Sequence, residues 1–300
     1  MIKTESNVPH KSVLVDEVLE YLDVQPGKVY LDVTFGAGGH TRQILEKEPN
    51  CTVIAMDWDT VSLDTYGPPL QEEFPGRLKL VWGNFALLYK VLKKEDIKFV
   101  DGILADFGTS QMQITSRPGF SVYKNSLLDM RMSPPHHKVT AINVINEASE
   151  KELRDIFWEF GQERYTKKIV AAILQDRQKK RITTTKQLAQ LIERVVPAAK
   201  KQKIHPATRV FQALRIFVNK ELDNIVSFLS AAMRILKPSG RLVCISFHSL
   251  EDRLVKQFFL EKSREQLVEI LTKKVVTASE KELEENPSSR SAKLRAIKLL

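Results

Sequence analysis

Residues 30–41, YLDVTFGAGGHT, leave few folds open. An apolar, strand-like run enters a cluster of three glycines and leaves it as the helical pattern HTRQILEKE. A glycine turn at the C-terminal end of a first strand lets backbone approach a ligand closely, because no Cβ stands in the way. The dinucleotide fingerprint G-x-G-x-x-G needs glycine at position 41, where this chain has Thr41, and no Gly-Lys-Ser/Thr follows to make a phosphate loop. Gly36, Gly38 and Gly39 therefore mark a strand–turn–helix unit whose ligand has to be found from the residues around it.

The flanking pattern says what sheet this unit belongs to. Val15, Val18, Leu19 and Leu22 lie on one helical face, QPG stops that helix, and the strand KVYLDV follows. Beyond the turn come the strand CTVIAMD, a connecting region, the strand LKLVWG and the strand VDGILADF. Strands alternating with helical segments predict an α/β fold with a doubly wound parallel sheet. From about residue 108 the period changes. Leu153, Ile156, Phe157 and Phe160 form one helical stripe, Ile169 and Ile173 extend a second, and Leu188, Leu191, Ile192 and Val195 a third. The expected domains are residues 1–107 with 211–300, and a helical insertion over 108–210. After a long helix through Leu222–Leu236, ended by KPSG, the buried strand RLVCISF resumes the sheet. LVEILTKKVV and AKLRAIKLL can add an antiparallel pair at its edge, and SEKELEENPSSRS reads as a polar linker.

With 300 residues, 43% hydrophobic and 28% charged, the chain can bury a real core. No run approaches the roughly 18 apolar residues of a membrane span, and MIKTESNVPHKS lacks a signal-peptide core, so no membrane and a cytoplasmic location are expected. Cys51 and Cys244 sit in apolar runs and read as buried small hydrophobes. His136 and His137, adjacent in a proline-flanked loop, read as solvated, and no metal is expected. The net charge of +9 fits a polyanionic partner.

Carboxylates give the turn its chemistry. Asp57 closes the second strand about 20 residues after the glycines, where an acidic side chain can accept hydrogen bonds from both ribose hydroxyls of a nucleoside. Asp32 and Asp106 close the first and fourth strands, and no lysine or arginine adjoins the glycines. Asp32 can equally well hydrogen-bond the turn's own backbone. Three converging acids suit a cationic nucleoside such as S-adenosylmethionine better than a pyrophosphate.

Six motifs then occur in order: YLDVTFGAGGHT, DGILADFGTSQMQ, RPGFSVYKNSLLDMRMSP, HPATRVFQALRIFVNKEL, ISFHSLEDRLVKQFF and NPSSRSAKLR. Together they resemble the RsmH family, also called MraW, the bacterial 16S ribosomal RNA cytosine N4-methyltransferases. The resemblance runs from about residue 8 to the C-terminus. It implies a class I S-adenosylmethionine-dependent methyltransferase (Rossmann-like) sheet with an inserted helical domain. It also implies a cytidine of the decoding region in the small ribosomal subunit as target, and a possible homodimer. The family's cofactor contacts fall on Gly38, Gly39, His40, Asp57, Phe85, Asp106 and Gln113. Two departures are TSQMQ, where the family reads a serine pair and proline before the glutamine, and Trp58, where arginine is common.

Transfer to a cytosine amino group calls for positioning and for an acceptor that hydrogen-bonds the nitrogen as positive charge develops. Asp106 is the first candidate for that catalytic role; holding the cofactor's amino group is the competing one. Phe107 and Phe120 could stack a base or be core. Asp129 and Arg131 could address RNA or close over the cofactor. His205, Arg209, Gln212 and Arg215 form a polar face that could meet the nucleotide or simply hold a helix. His248, Asp252 and Arg253 follow the fifth strand. Lys167 and Lys168, Lys179 to Arg181, and Lys200, Lys201 and Lys203 could touch phosphates or be solvated helix faces. The alternatives are an NAD-dependent oxidoreductase on the same core and a non-catalytic ribosome-binding factor.

Overall fold

The computed structural model describes residues 11–108, 117–197 and 205–300. The chain divides into two compact units, residues 1–108 with 222–300, and residues 109–221.

The first unit is built on a seven-stranded sheet. After helix α1 (Val15–Leu22) come β1 (Val29–Asp32), α2 (Gly39–Lys47), β2 (Thr52–Asp57), α3 (Thr60–Glu73), β3 (Leu78–Trp82), α4 (Leu88–Lys94) and β4 (Val100–Asp106). The strand order is β3-β2-β1-β4-β5-β7-β6, with β5 at Leu236–Ser246, β6 at Val268–Ile270 and β7 at Lys293–Leu299. Strands β3, β2, β1, β4 and β5 run parallel, while β7 is antiparallel to both β5 and β6. The two C-terminal apolar runs thus form the expected antiparallel edge pair.

Parallel strands covered on both faces must be apolar at successive positions, and β1 shows why. Leu31 packs with Ile54, Met56, Ile103 and Phe228 on one face, while Tyr30 packs with Val53, Ala55, Leu104 and Val243 on the other. Because β1 is flanked by β2 on one side and β4 on the other, the order in which strands join the sheet reverses around it. The crevice beyond the strand ends opens at that switch point.

Three segments differ from expectation. The region after β2 is a helix, α3, in spite of Pro68 and Pro69 inside it. Both prolines forgo an amide hydrogen bond and so read as breakers. Asp59 caps the start by accepting from Val61 N at 3.1 Å. Gly67 lets α3 lie on β3, since a Cβ there would stand 2.2 Å from Leu80 Cδ1. KPSG lies inside β5, as an irregularity with Ser239 at φ 64° and a register shift between Val100 and Gly102. The supposed linker holds a short helix, Glu280–Glu285, and a 3-10 turn, Pro287–Ser291. Its polarity serves contacts: Glu282 Oε1 accepts from Leu14 N at 2.7 Å and Asn286 Nδ2 donates to Lys11 O at 3.0 Å.

The second unit is helical. Its helices α5 (Ala141–Glu147), α6 (Glu150–Glu159), α7 (Thr166–Lys179), α8 (Thr185–Val195) and α9 (Thr208–Asn219) close on their own apolar core, including Leu153, Phe157, Ile169, Ile173, Leu188 and Leu214. Capping boxes start three of them, from Thr140, Ser149 and Thr184. The unit extends to Glu221 rather than to 210 because α9 supplies Val210, Phe211, Leu214 and Val218 to that core. Helix α10 (Glu221–Ile235) then leads back to the sheet.

Asn219, fully buried at the end of α9, fixes the LLDMRM segment: Nδ2 donates to Met130 O at 2.8 Å and Oδ1 accepts from Met132 N at 2.7 Å. Asn219→Ala leaves both backbone groups buried without that partner, at a cost of about 1–3 kcal/mol each. Denaturant unfolding of the variant is expected to show the loss as a lower midpoint with an unchanged slope.

Candidate active site

Each acidic side chain of the crevice is placed by the end of a strand. Asp57, last in β2, is 7% exposed. Its Oδ2 accepts from Gly36 N at 2.8 Å and its Oδ1 from Asp59 N at 2.9 Å, so it ties the glycine turn to β2. Burial pushes its carboxyl pKa up to about 6, against the pull of these two bonds. Asp32, 1% exposed at the end of β1, accepts from Thr34 N at 3.0 Å through Oδ1 and from Thr41 Oγ1 at 2.8 Å through Oδ2. Burial raises its pKa too, with His40 and Thr41 acting in the opposite direction. The turn-bracing role of Asp32 is thus realised.

Asp106 ends β4. Thr34 Oγ1 accepts from its backbone N–H at 2.8 Å, and its Oδ2 lies 3.5 Å from His40 Nε2. Among the described residues its other oxygen, Oδ1, is buried without a hydrogen-bond partner, and so are both ring nitrogens of His40. Burial disfavours the His40 imidazolium, yet Asp106 and then Asp32 hold its pKa above the ordinary value.

The glycines serve the turn's own packing as well as access. Gly38 sits at φ 78°, where a Cβ would come within 2.9 Å of the Phe35 ring, and a Cβ on Gly39 would meet Ser12 Oγ at 2.1 Å. Gly38 caps α2 without a side-chain bond, so the first amides of that helix are left for an anion. Phe85, after β3, is half-buried and belongs to an aromatic cluster with Trp58, Phe107 and Phe228, at ring separations of 6.3, 5.9 and 5.7 Å.

Sequence reasoning named Gly38, Gly39, His40, Asp57, Phe85 and Asp106, and all six lie in the first unit around the ends of β1, β2, β3 and β4. Phe107 is core, 2% exposed against Phe85 and Phe228, and is unavailable for stacking a base. Gln113 and the cluster Lys200, Lys201 and Lys203 lie outside the described residues.

The remaining candidates are engaged locally. Arg131 forks onto Asp129 at 2.7 and 2.8 Å, holding that carboxyl below its ordinary pKa despite burial. Phe120 is half-buried in the second unit. His205 Nδ1 accepts from Ala207 N at 3.1 Å, and Nε2 lies 2.9 Å from Glu193 Oε1. Arg209 donates to Gln162 O at 3.3 Å, Gln212 to Phe160 O at 3.4 Å, and Arg215 pairs with Glu221 through two bonds of 2.9 Å. These bonds anchor the two ends and one flank of α9 within its own unit. His248 caps helix α11 (Ser249–Arg264), its Nδ1 accepting from Glu251 N at 3.4 Å.

Thr34, Thr41, Ser12 and Glu282 were missed as supports. Only Thr41 left a signal, as the residue displacing the third glycine.

A carboxylate at the end of β2, an uncapped helix start and a half-exposed aromatic ring offer partners for the ribose, the methionine end and the adenine of S-adenosylmethionine. Sheet order and site together define a class I methyltransferase, for which S-adenosylmethionine is the methyl donor. The chain belongs to the MraW methylase family, whose model matches residues 7–300. Among its curated relatives, the ribosomal RNA small subunit methyltransferase H of Sulfurihydrogenibium sp. is 44% identical over 289 residues, covering 96% of this chain and 98% of that one. The proteins of the same name from Syntrophotalea carbinolica and Ehrlichia chaffeensis are 45% and 42% identical, covering 97% and 96% of this chain and 98% and 99% of theirs.

Hydroxyls donate to a carboxylate, so assigning the ribose to Asp57 predicts that binding is best when this group is ionised. With its pKa at about 6, cofactor affinity measured by calorimetry is expected to be level above pH 7. It should fall towards tenfold per pH unit below 6. In Asp57→Asn that pH dependence should disappear and affinity should be low throughout.

Proposed function

We propose that this protein methylates the N4 amino group of a cytidine in the decoding region of 16S ribosomal RNA, in the cytoplasm. Asp106 is the observation that carries the reading. Among the described residues its Oδ1, at the end of the strand beside the glycine turn, is a buried acceptor with no donor. An amino group is the donor it lacks. The names of the curated relatives support the small-subunit RNA as substrate. The NAD alternative is opposed by Thr41, whose hydroxyl is committed to Asp32, and by the acidic character of a turn that would have to receive a pyrophosphate.

When bound, S-adenosylmethionine supplies an electrophilic methyl on a sulfonium. The residues of this chain then have limited tasks. The start of α2 after Gly38 and Gly39 would hold the methionine end, Asp57 the ribose, and Phe85 the adenine. Asp106 would accept a hydrogen bond from the cytosine amino group, pulling its lone pair out of the ring as the nitrogen attacks. It would then take the proton that the methylated nitrogen releases. A paired cytidine would have to leave its stack to reach this acceptor.

The helical unit supplies charge of the opposite sign. Lys167 and Lys168 at the start of α7, and Lys179 and Lys180 at its end, are exposed. Arg181 beside them pairs with Glu147 at 2.6 Å. The four lysines are proposed to neutralise RNA phosphates and fix orientation, leaving selection of the base to the crevice.

Two measurements test this. Wild type with labelled S-adenosylmethionine and unmodified small subunits should yield N4-methylcytidine on nucleoside analysis. Asp106→Ala should lose at least about 100-fold in rate while binding cofactor within a few-fold. Cofactor binding with no methylated nucleoside would overturn the reading. Separately, changing the four lysines to alanine should weaken subunit binding by more than tenfold at about 0.1 M salt and flatten its salt dependence. A loss of less than about twofold would remove their proposed role.

A further inference from the structure

His40 is the buried group at the site that neither the fold nor the proposed reaction has yet used. It lies in the first turn of α2, 6% exposed, with both ring nitrogens lacking hydrogen-bond partners among the described residues. A buried polar ring left in that condition costs free energy, and an apolar residue of similar size would avoid it. The ring's Nε2 faces Asp106 Oδ2 at 3.5 Å, while Asp106 Oδ1 remains open. Behind them Asp32 accepts from Thr34 and Thr41, and among the described residues only Asp106 brings a carboxylate oxygen within 4.0 Å of a ring nitrogen. The imidazole is therefore left to Asp106.

We propose that His40 is a positioning residue for methyl transfer: as an imidazolium it holds Asp106 by Oδ2 and leaves Oδ1 aimed at the amino group that is to be methylated. The inference rests on the reading of Asp106 as the acceptor. As the amino nitrogen forms its bond to the methyl carbon, the electron pair of the broken carbon–sulfur bond leaves with sulfur. The nitrogen then carries one proton in excess, and Asp106 Oδ1 removes it. Throughout, the imidazolium keeps its own proton and acts on the carboxylate's orientation and charge. It also cancels part of the repulsion among Asp106, Asp32 and Asp57 when the crevice holds no cationic ligand.

The charged groups acting on the ring are Asp106 on β4, Asp32 on β1 and Glu282 on the short helix Glu280–Glu285, all acidic. Together they favour the imidazolium over burial, so the ring should titrate above its ordinary value near 6.5. The positively charged form of His40 is lost as pH rises through that raised pKa. On this inference kcat falls along the same limb.

The test joins NMR to kinetics. In the ligand-free wild type, the ring resonance of His40, assigned by its absence from His40→Gln, should titrate above 6.5. In Asp106→Asn it should titrate lower, because burial then faces less opposing charge. His40→Gln and His40→Asn should each bind S-adenosylhomocysteine within about threefold of wild type, lose about tenfold in kcat at neutral pH and lack the alkaline limb. An unchanged His40 titration in Asp106→Asn would overturn the proposal. So would a wild-type kcat–pH profile in both His40 variants, even where Asp106→Asn is inactive. If Asp106→Asn keeps its kcat, the acceptor reading itself fails and the role of His40 falls with it.

Discussion

The site is organised by one buried carboxylate that does no chemistry. Asp32 sits at the sheet's switch point with 1% exposure, and its three side-chain hydrogen bonds join elements that have no other reason to agree in position. Through Oδ2 it takes the Thr41 hydroxyl of α2, and through Oδ1 the amide and hydroxyl of Thr34. Thr34 in turn accepts the backbone N–H of Asp106. The ends of β1 and β4 and the start of α2 are thereby held in one hydrogen-bonded chain. A low-dielectric setting makes such a chain stiff when every member is satisfied. It also explains why threonine stands at position 41: a third glycine would leave Asp32 Oδ2 without its donor.

Most of this architecture was legible because it follows from period and strand ends. Strands buried on both faces produce unbroken apolar runs such as VYL and VIAM, and acids that close those runs stand out against them. Local chemistry that works against a residue's usual habit was not legible. Pro68 and Pro69 hide α3, since their effect on an isolated helix is to break it, and only the fit of Gly67 over Leu80 shows what the helix gains. The polar run 279–291 has no apolar stripe to reveal it, because its work is to bind the backbone of Lys11, Ser12 and Leu14 through Asn286 and Glu282.

The site residues follow the same division. Asp57 and Asp106 could be named from their places at strand ends, and Phe85 only through the family's motif. Phe107, one residue beyond Asp106, could be read as core or as a base-stacking wall, and the ring contacts with Phe85 and Phe228 decide for core. His205, Arg209 and Arg215 show the converse case. Their helical spacing is real, but their hydrogen bonds run to Glu193, Gln162 and Glu221, so spacing alone overstates how much of that polar face is free. Spacing records which side of a helix a residue occupies and carries no information about what already binds it.

Charge is distributed so that the two ends of the proposed substrate are treated differently. Asp32, Asp57 and Asp106 make the crevice hostile to phosphate and receptive to a sulfonium and an ammonium group. The excess of nine positive charges must then act elsewhere, and exposed lysines at both ends of α7 carry part of it. On the proposed reading, phosphates are kept out of the acidic crevice and an uncharged base edge enters it. For a base with an exocyclic amine, the unpartnered oxygen of Asp106 offers what an oxygen-edged base could not use, an acceptor facing a donor. On the proposed reading, discrimination between cytosine and uracil would be a matter of hydrogen-bond polarity at one atom. A mismatch there leaves a buried carboxylate oxygen facing another acceptor.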